Sequence, residues 1–417
     1  MRKIGQTVRW WMEGAPGRRE RKKYLRLYEQ GEFEEAALAL RDALTAAPND
    51  PELMLRVANL SRFGLLPLED ALPLLRTVIS KAPPALSRRA LIQLFNLLWE
   101  RKGAETAMAW FPHLVRESEK SPRLLLRAAA FANEAGQTRE AFDLLARVGR
   151  SDPSALASMG YLDLILAAAD AGAAELPQAP RARAIAAHLS HFKGRFAQMI
   201  AGASGDVAVV ANGPSILGLG LGSTIDSHQL VIRFNNHAAL SGPADLGRRT
   251  DIWFRPTEFT HVPLPATPAA NLAVLTGCNI RNRYSNGLQV LEPYLQNSMA
   301  IELVPTALYA RLFAALDASP SAGLIGLAWT QEEIGRKLSP RQVFGYSLGQ
   351  NTSAVSHYYG RRHVGSWPSR HNWQAEQVYF GTLLRNDDEV SNRATNPEHF
   401  QPTRSDDRSN FEGENRT

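Results

Sequence analysis

Small and apolar residues recur at a fixed spacing through the first third of the chain. Each unit has a glycine, a small residue, a leucine, a small or β-branched residue and a proline, at relative positions 0, 5, 9, 12 and 17 in its regular form. The first and last units are Gly31-Ala36-Leu40-Ala43-Pro48 and Gly136-Ala141-Leu145-Val148-Pro153, and a middle unit with two extra residues is Gly64-Ala71-Leu75-Val78-Pro83. Small residues at these places let paired helices approach closely, so the pattern predicts stacked helices.

The spacing resembles that of the tetratricopeptide repeat, whose period is about 34 residues. Because each unit alone would leave an apolar face bare, the units must stack into a curved array. We predict such an array over residues 20–166, with a degenerate unit over 91–114, and an irregular helical bundle is the alternative. Repeat arrays of this kind bind other proteins, so a protein partner is one expectation for this region.

The pattern changes after about residue 200, where short β-branched runs alternate with helical patterns. Strands are predicted at 207–210, 230–234, 251–254 and 272–275, and helices at 306–316, 323–337 and 375–384. This alternation predicts an α/β domain with a Rossmann-like, mostly parallel sheet flanked by helices. The predicted divisions are a flexible basic terminus (1–19), the all-α repeat domain (20–166), a linker or helix (167–200), the catalytic domain (201–385) and a polar, disordered tail (386–417).

Composition and charge narrow the class of partner. The chain has 44% hydrophobic and 21% charged residues and a formal charge of +6, which suits an acidic partner such as a phosphorylated sugar donor, an anionic glycan or an anionic membrane surface. The sequence contains none of the common nucleic-acid-reading motifs, so no nucleic-acid partner is expected. A single cysteine, Cys278, cannot form an internal disulfide.

The sequence also carries an expectation about location. The amino terminus lacks the apolar core of a signal peptide, and no apolar run approaches 18 residues, the length that a membrane span requires. We therefore expect a cytoplasmic, bacterial-type protein without a transmembrane segment. Trp10, Trp11 and the basic run 18–23 offer a peripheral contact with the inner membrane as an alternative to a solvated tail.

A tight turn follows the first predicted strand. Asn212, Gly213 and Ser215 lie in this turn, and in doubly wound sheets ligands bind beyond the carboxyl ends of the strands. A dinucleotide-binding fingerprint would need G-x-G-x-x-G directly after the strand. The glycines at 218, 220 and 222 come too late and at another spacing, which disfavours a dehydrogenase.

Four motifs then follow in a set order. The segment VAVVANGPSILGLGLGSTIDSHQLVIRFNN, continued by ADLGRRTDIWFR, closely resembles the large motif of animal-type sialyltransferases, glycosyltransferase family 29. The segments 319–324 and 342–346 resemble the small motif, His357-Tyr-Tyr-Gly resembles the third motif, and His371 with Glu376 resembles the very short motif. Each short motif alone is weak evidence. Four motifs in the family's order over about 175 residues indicate a bacterial relative of this family.

The resemblance implies a donor and a set of site residues. It implies a sugar activated by cytidine monophosphate (CMP), such as CMP-sialic acid, with no cofactor and a glycan as acceptor. The matching residues are Asn212 and Asn235 for the nucleotide and its phosphate, Ser321, Gly323 and Gly345 for nucleotide contacts, His357 for the leaving phosphate, His371 as general base, and Glu376 in a structural or orienting role.

The residues themselves are compatible with this chemistry. No Asp-x-Asp follows a strand, so no metal site is expected. Amide donors and one histidine can stabilise the charge of a leaving phosphate without a metal. A histidine base with a pKa near neutrality suits the removal of a hydroxyl proton, and direct attack would invert the anomeric carbon. Four arginines, at 233, 248, 249 and 255, are candidates either for holding a sugar carboxylate or for scaffold ion pairs.

Departures from the family pattern leave alternatives open. The cysteines that join the large and small motifs in secreted members are missing, and Val207 stands at the first expected position. Ala322 replaces a usual hydroxyl residue and Gly360 a frequent acidic one, so a related acidic sugar such as Kdo is an alternative donor. The acceptor is expected to be a capsule or lipopolysaccharide glycan. The competing hypotheses are another bacterial nucleotide-sugar transferase and an inactive scaffold that works through its repeats.

Overall fold

The computed structural model describes residues 17–30, 32–118, 121–235, 242–257, 270–346 and 371–384. Three parts of the sequence hypothesis lie outside these ranges: the basic terminus with Trp10 and Trp11, the third motif with His357, and the tail beyond residue 384. Within the described ranges, no helix has the length and apolar character needed to cross a membrane.

The amino-terminal part of the described chain is helical throughout. Its helices are α1 (Arg18–Gln30), α2 (Phe33–Ala46), α3 (Pro51–Asn59), α4 (Leu68–Lys81), α5 (Pro84–Lys102), α6 (Ala104–Met108), α7 (Phe111–Ser118), α8 (Pro122–Glu134), α9 (Thr138–Ser151), α10 (Pro153–Ser158), α11 (Leu162–Asp170) and α12 (Ala179–His191). A 3₁₀ turn, Leu60–Phe63, separates α3 from α4. Short connections join consecutive helices into antiparallel pairs, as a repeat pattern requires.

The recurring apolar positions form the interior of this region. Each of the residues that define the repeat spacing inside α2, α4 and α9 is at most 1% exposed: Ala36, Leu40, Ala43, Ala71, Leu75, Val78, Ala141, Leu145 and Val148. Gly64 and Gly136 end their helical segments with left-handed φ angles of 71° and 77°, a conformation that costs glycine little. The spacing thus marks helix–helix contacts, and the region is helical as predicted.

Capping residues and prolines set where several of these helices begin. Asp50 accepts hydrogen bonds from the backbone of Glu52 and Leu53 at 2.9 and 3.1 Å, and Pro51 occupies the first helical position of α3. Asp152 and Pro153 repeat this arrangement at the start of α10. A carboxylate at this place satisfies amides that have no partner inside the helix.

The carboxyl-terminal part is built on a six-stranded sheet in which every pairing is parallel. The strands are β1 (Val207–Val210), β2 (Leu230–Phe234), β3 (Ile252–Arg255), β4 (Leu272–Leu275), β5 (Ile301–Leu303) and β6 (Val343–Phe344). Their order across the sheet is β5-β4-β3-β2-β1-β6. The predicted α/β class and parallel sheet are confirmed. The sequence analysis predicted the first four strands and missed β5 and β6.

Helices cover both faces of the sheet. They are α13 (Arg195–Gly202), α14 (Gly222–Ser227), α15 (Pro243–Leu246), α16 (Gly287–Gln296), α17 (Thr306–Leu316), α18 (Ala322–Ile334) and α19 (Trp373–Leu384). On one face, Phe196 of α13 stacks on Trp329 of α18 at a centroid distance of 4.0 Å and meets Phe254 of β3 edge-on. Because both faces are covered, every residue of β1 to β4 is buried, rather than every second one.

The helical region and the sheet share one hydrophobic core. Ala273 and Leu275 of β4 and Ile301 of β5 belong to the same buried cluster as the repeat helices. The backbone N–H groups of Gly194 and Phe196 each donate to the Glu302 carboxylate, at 2.7 Å. The segment 167–200 therefore contains helices that pack on the sheet, and the helical region forms part of the layer that covers it.

Ion pairs across the same boundary reinforce this packing. Arg283, which follows the 3₁₀ turn Cys278–Arg281, donates to both carboxylate oxygens of Glu134 and lies 4.5 Å over the ring of Trp99. Arg281 pairs with Asp163. Cys278 is buried beside this boundary, and burial raises the pKa of its thiol to about 11, which argues against a nucleophilic role.

Candidate active site

Asn212 lies directly beyond the carboxyl end of β1. Its side-chain Nδ2 donates to the carbonyl oxygen of Phe234 at the end of β2, at 2.9 Å. The residue is 7% exposed, and its Oδ1 has no hydrogen-bond partner among the described residues. The carboxamide therefore ties two adjacent strand ends together while presenting one unsatisfied acceptor at the ligand-binding edge of the sheet.

Gly345 holds the small-motif strand against this turn. The backbone N–H groups of Ala211 and Gly213 donate to Phe344 and Gly345 at 2.9 and 2.7 Å. Gly345 has a φ of 68°, and a Cβ atom there would lie 2.4 Å from the carbonyl oxygen of Ala211. Only glycine permits both this φ and this approach, so the position sets the distance between the large and small motifs.

Asn235 ends β2 in a strained conformation. Its φ is 47°, which non-glycine residues rarely adopt. The backbone N–H donates to Phe254 at 2.8 Å, and the carbonyl oxygen accepts from the indole nitrogen of Trp253 at 2.7 Å. Bonds on both sides of the residue stabilise the unusual backbone, and they place Asn235 next to the strand end that Asn212 contacts.

Helix α18 begins at the same edge. Ser321 is its N-cap, with Oγ accepting from the backbone of Leu324 at 3.2 Å. The hydroxyl of Tyr346 donates to the carbonyl oxygen of Gly323 at 2.8 Å, and a Cβ atom at Gly323 would lie 3.4 Å from the Tyr346 ring. Tyr346 thus connects the strand β6 to the first turn of α18, whose N-terminus carries a partial positive charge.

Glu376 anchors the next helix to this first turn. Its Oε1 accepts from the backbone N–H of Ser321 at 2.6 Å, and the side chain is fully buried. Oε2 has no hydrogen-bond partner among the described residues. Burial, opposed by the Ser321 hydrogen bonds, raises the pKa of Glu376 to about 7. The carboxyl group is therefore partly protonated at neutral pH.

His371 lies two residues before the start of α19 and five residues before Glu376. Its Nδ1 is 2.8 Å from the carbonyl oxygen of Ser319 and 3.8 Å from Glu376 Oε1. A carbonyl oxygen can only accept, so Nδ1 carries the proton of the neutral ring and Nε2 is left as the basic nitrogen. The imidazole is 31% exposed, so it is accessible from solvent.

Asn372 and Trp373 complete this corner. Asn372 Oδ1 accepts from the backbone of Ala375 at 3.1 Å, and Nδ2 donates to the carbonyl oxygen of Leu316 at 3.2 Å, so Asn372 caps α19 and fixes it to α17. Trp373 lies 5.0 Å from the His371 ring, centroid to centroid, and is 43% exposed. An exposed indole beside an accessible imidazole offers an apolar face to a ligand.

A continuous series of contacts therefore joins the predicted site residues. It runs from Asn235 and Asn212 through Gly345, Gly323 and Ser321 to Glu376 and His371. His357, the other predicted histidine, lies outside the described residues. Tyr346, Ser319 and Trp373 were missed as site residues. Each stands inside a motif that the sequence analysis quoted. Tyr346 and Ser319 make contacts with residues 23 and 52 positions away, which no local pattern reveals. Trp373 lies two positions from His371, so its place in the motif was the signal that could have found it.

Comparison with known proteins bears on the carboxyl-terminal part. Residues 194–262 match the family model described as glycosyltransferase family 29 (sialyltransferase). The predicted resemblance is confirmed. The matched segment contains Asn212 and Asn235, and the small and very short motifs lie beyond it. No curated protein matches the chain. The match lies within the α/β part, which is here called the transferase domain after the family of that match.

Several large-motif residues of the transferase domain maintain the fold. The Asp226 carboxylate accepts from the backbone of Arg248 and Arg249, and a Cβ atom at Gly247 would lie 2.3 Å from Asp226 Oδ1. His228 Nδ1 is 2.6 Å from Asp206 Oδ1, and this hydrogen bond lowers the pKa of Asp206. The motif thus encodes a tight loop.

The contacts of two of the four candidate arginines decide between binding a sugar carboxylate and stabilising the scaffold. Arg233 is 2% exposed and donates to the backbone carbonyls of Arg249 and Leu246. Arg249 pairs with Asp251 and donates to the carbonyls of His228 and Gln229 near the start of β2. Both guanidinium groups act as scaffold. Arg255 is fully buried, with its guanidinium 4.3 Å from the Trp253 ring.

Proposed function

We propose that the transferase domain moves sialic acid, or a related acidic sugar, from a CMP-sugar to a hydroxyl group of a glycan, with inversion and without a bound metal or cofactor. The observation that carries the proposal is the series of contacts linking Asn212, at the end of β1, to His371, before α19. It brings Asn212 and His371 to one edge of the sheet, which supports a shared site for the nucleotide and the proposed base.

Asn212 would recognise the nucleoside. Its buried Oδ1 lacks a donor among the described residues, and leaving a buried acceptor unsatisfied costs about 1–3 kcal/mol. A ribose hydroxyl or the exocyclic amine of cytosine supplies such a donor. Nδ2 stays on Phe234, so the orientation of the carboxamide is set before the nucleotide arrives.

The N-terminus of α18 would face the phosphate. Ser321 and Gly323 lie in its first turn, beside Gly345 and Tyr346. Backbone N–H groups and the helix dipole together stabilise an anion at such a place. The charge that develops when CMP leaves is confined to one phosphate group, which amide donors can stabilise. His357 would add a proton or a hydrogen bond to that phosphate, as the family resemblance implies.

His371 would remove the acceptor proton. The Nδ1–H group is held by Ser319, which leaves Nε2 to accept the hydroxyl proton as the acceptor oxygen attacks the anomeric carbon. The bond from that carbon to the phosphate oxygen breaks on the opposite face, CMP leaves with the electron pair, and the configuration inverts. The neighbouring Glu376 carboxylate would stabilise the imidazolium that forms.

The donor is tested by ligand-induced stabilisation of the full chain. We expect CMP to raise the melting temperature, corresponding to about 2.7 kcal/mol at a hundred times its Kd, while UMP and GMP do not. Asn212→Ala should weaken CMP binding about tenfold, since one hydrogen bond to a buried acceptor is lost. Asn297→Ala is the matched control, because Asn297 is exposed and donates to the local carbonyl of Pro293. Stabilisation by UMP or GMP alone would overturn the donor assignment.

A further inference from the structure

An arginine of the helical region reaches the C-terminal end of α17. Arg101 lies in the last turn of α5, and its guanidinium group pairs with the carboxylate of Asp317. The same guanidinium group donates to the carbonyl oxygen of Ser61 at 2.5 Å and lies 5.4 Å from the centroid of the Phe313 ring. The Arg101 side chain is only 5% exposed. It therefore bridges the 3₁₀ turn of the helical region to the end of α17.

Asp317 occupies a turn in the backbone directly after α17. Its φ is 48°, in the left-handed region that aspartate, asparagine and glycine adopt more readily than other residues. From this turn the chain continues through the buried Ala318 to Ser319. The pair with Arg101 thus acts at the residue where the chain leaves α17 for the segment that contacts His371.

Two backbone carbonyl groups on either side of Asp317 hold the segment that carries the proposed base. The carbonyl oxygen of Leu316 accepts from Asn372 Nδ2 at 3.2 Å, and that of Ser319 lies 2.8 Å from His371 Nδ1. These acceptors lie one position before and two positions after Asp317. A displacement at Asp317 would therefore move the acceptor that orients the imidazole and keeps its proton on Nδ1.

The helical region also packs directly beside this segment. A Cβ atom added at Gly64, the residue that ends the 3₁₀ turn, would lie 3.5 Å from the Cβ atom of Ala318 and 3.8 Å from that of Asn372. Ala318 is 1% exposed. The backbone of the turn therefore lies close to both chain segments that meet at the proposed base, and the Arg101 pair fixes the turn to one of them.

We propose that Arg101 is a positioning residue for the proposed base. Through Asp317 it holds the carbonyl group of Ser319 in place. That carbonyl group keeps the proton of the neutral His371 ring on Nδ1, so Nε2 carries the lone pair that accepts the hydroxyl proton. The inference rests on the proposed function. It makes the helical region a part of the catalytic unit, because one of its side chains sets the geometry of a residue in the transferase domain.

The inference is tested first by the kinetics of variants of the full chain. Asp317→Gly removes the carboxylate that Arg101 holds and suits the left-handed φ, so we expect a melting temperature within about 4 °C of the wild type. Its kcat should fall about tenfold or more, because the base is displaced, while the Kd for CMP stays within about twofold. Asp317→Asn retains an acceptor and tolerates this φ, so its kcat should stay within about threefold of the wild type.

Variants on the other side of the pair show whether the effect comes from the helical region. Arg101→Met removes the guanidinium group and should lower kcat by about the same factor as Asp317→Gly. Combining the two substitutions should lower kcat by no more than about twofold beyond Arg101→Met alone, since both break one interaction. Arg311→Ala is the matched control. It breaks an exposed pair between α17 and Glu332 and should change kcat by less than about twofold.

The tautomer of His371 is read by NMR without substrate, from the chemical shifts of its ring nitrogens at a pH where the ring is neutral. His371→Asn identifies these signals by their loss. We expect protonated Nδ1 in the wild type and in Asp317→Asn, and a shift toward protonated Nε2 in Asp317→Gly and Arg101→Met. Unchanged shifts in the latter two variants, or changed shifts with kcat at the wild-type level, would overturn the inference. If the wild type transfers no sugar from CMP-sialic acid, the proposed function fails, and the nitrogen shifts alone decide whether Arg101 positions the ring.

Discussion

The Oε1 atom of Glu376 lies 2.6 Å from the backbone nitrogen of Ser321, a residue 55 positions earlier in the chain. This hydrogen bond joins the N-terminus of α18 to the first turn of α19. Because His371 lies only two residues before α19, the same bond sets how far the imidazole lies from the strand ends where Asn212 and Gly345 meet. The fully buried carboxyl group therefore positions the proposed base.

The ionisation of Glu376 should make stability depend on pH. Its pKa in the folded chain is about 7 against an ordinary value of 4.5, so the folded state binds this proton more tightly than the unfolded state. The stabilisation is present below pH 4.5 and is lost as the pH rises through 7. Glu376→Gln keeps an acceptor for Ser321 without a charge, so we expect it to be as stable as the wild type at pH 5 and more stable at pH 9.

The difference should be on the order of 3 kcal/mol, since each unit of pKa shift corresponds to about 1.4 kcal/mol. Thermal melting of both proteins between pH 5 and 9 measures it. Glu376→Ala, which also removes the acceptor, should be less stable than the wild type at pH 5. If the melting temperatures of the wild type and Glu376→Gln changed with pH in the same way, the carboxyl group would be ionised throughout this pH range.

A methyl group at Gly345 should disrupt the nucleotide side of the site. In Gly345→Ala the new Cβ would lie 2.4 Å from the carbonyl oxygen of Ala211, so the turn that carries Asn212 must move. Gly335→Ala is the matched control, because Gly335 has a φ of 72° and its Cβ position has no atom within 4 Å among the described residues other than its chain neighbours. It should cost only the left-handed strain of about 1–2 kcal/mol.

Both effects are read from urea unfolding and from CMP titration. Gly345→Ala should lose more stability than Gly335→Ala and should bind CMP at least about tenfold more weakly. Equal losses of stability with equal CMP affinity would mean that the close approach between the two motifs has no part in nucleotide binding.

Trp373 should affect the acceptor and not the donor. It is 43% exposed and contacts the His371 ring, so Trp373→Ala should raise the acceptor KM about tenfold while the Kd for CMP stays within about twofold. Val378→Ala on the same helix, where the side chain is 63% exposed, serves as the control and should change neither constant. An increase in the CMP Kd as large as that in the KM would place the indole on the donor side.

The helical region and the transferase domain should unfold together. Arg283→Ala removes a guanidinium group, 14% exposed, that bridges the transferase domain to Glu134 and Trp99, and breaking such a pair costs about 3–5 kcal/mol. Arg183→Ala breaks the exposed pair with Asp170 and should cost less than about 1 kcal/mol. Calorimetry should show one transition for the wild type. Two separate transitions, with Arg283→Ala affecting neither, would mean that the regions fold independently.

The sequence predicted those parts of the fold that local patterns encode. β1, β2, β4 and α17 have the predicted bounds, because each combines a continuous apolar run or a helical period with a clear turn signal. β5 and β6 were missed since they have three and two residues, too few for any period. Their pairing depends on tertiary contacts such as that of Gly345 with Ala211, which lies 134 positions earlier in the chain.

The candidate site was predictable as a set of residues and not as an arrangement. The motif order identified Asn212, Ser321, His371 and Glu376, because these positions match a family pattern. The tautomer of His371 depends on the carbonyl of Ser319, and the pKa of Glu376 depends on burial. Neither can be derived from the spacing of residues. The same holds for the helical region, whose packing on β4 and β5 has no signature in its repeat pattern.

The rate of CMP release from CMP-sialic acid by His371→Asn, compared with the wild type in the presence of a glycan mixture, tests the central claim most directly. Asparagine retains an N–H group for Ser319 but lacks a basic nitrogen. We therefore predict that the rate of CMP release falls at least about a hundredfold, while the Kd for CMP stays within about twofold of the wild type. Release at the wild-type rate by this variant would contradict the assignment of His371 as the base. No release by the wild type, with no stabilisation by CMP, would contradict the transferase itself.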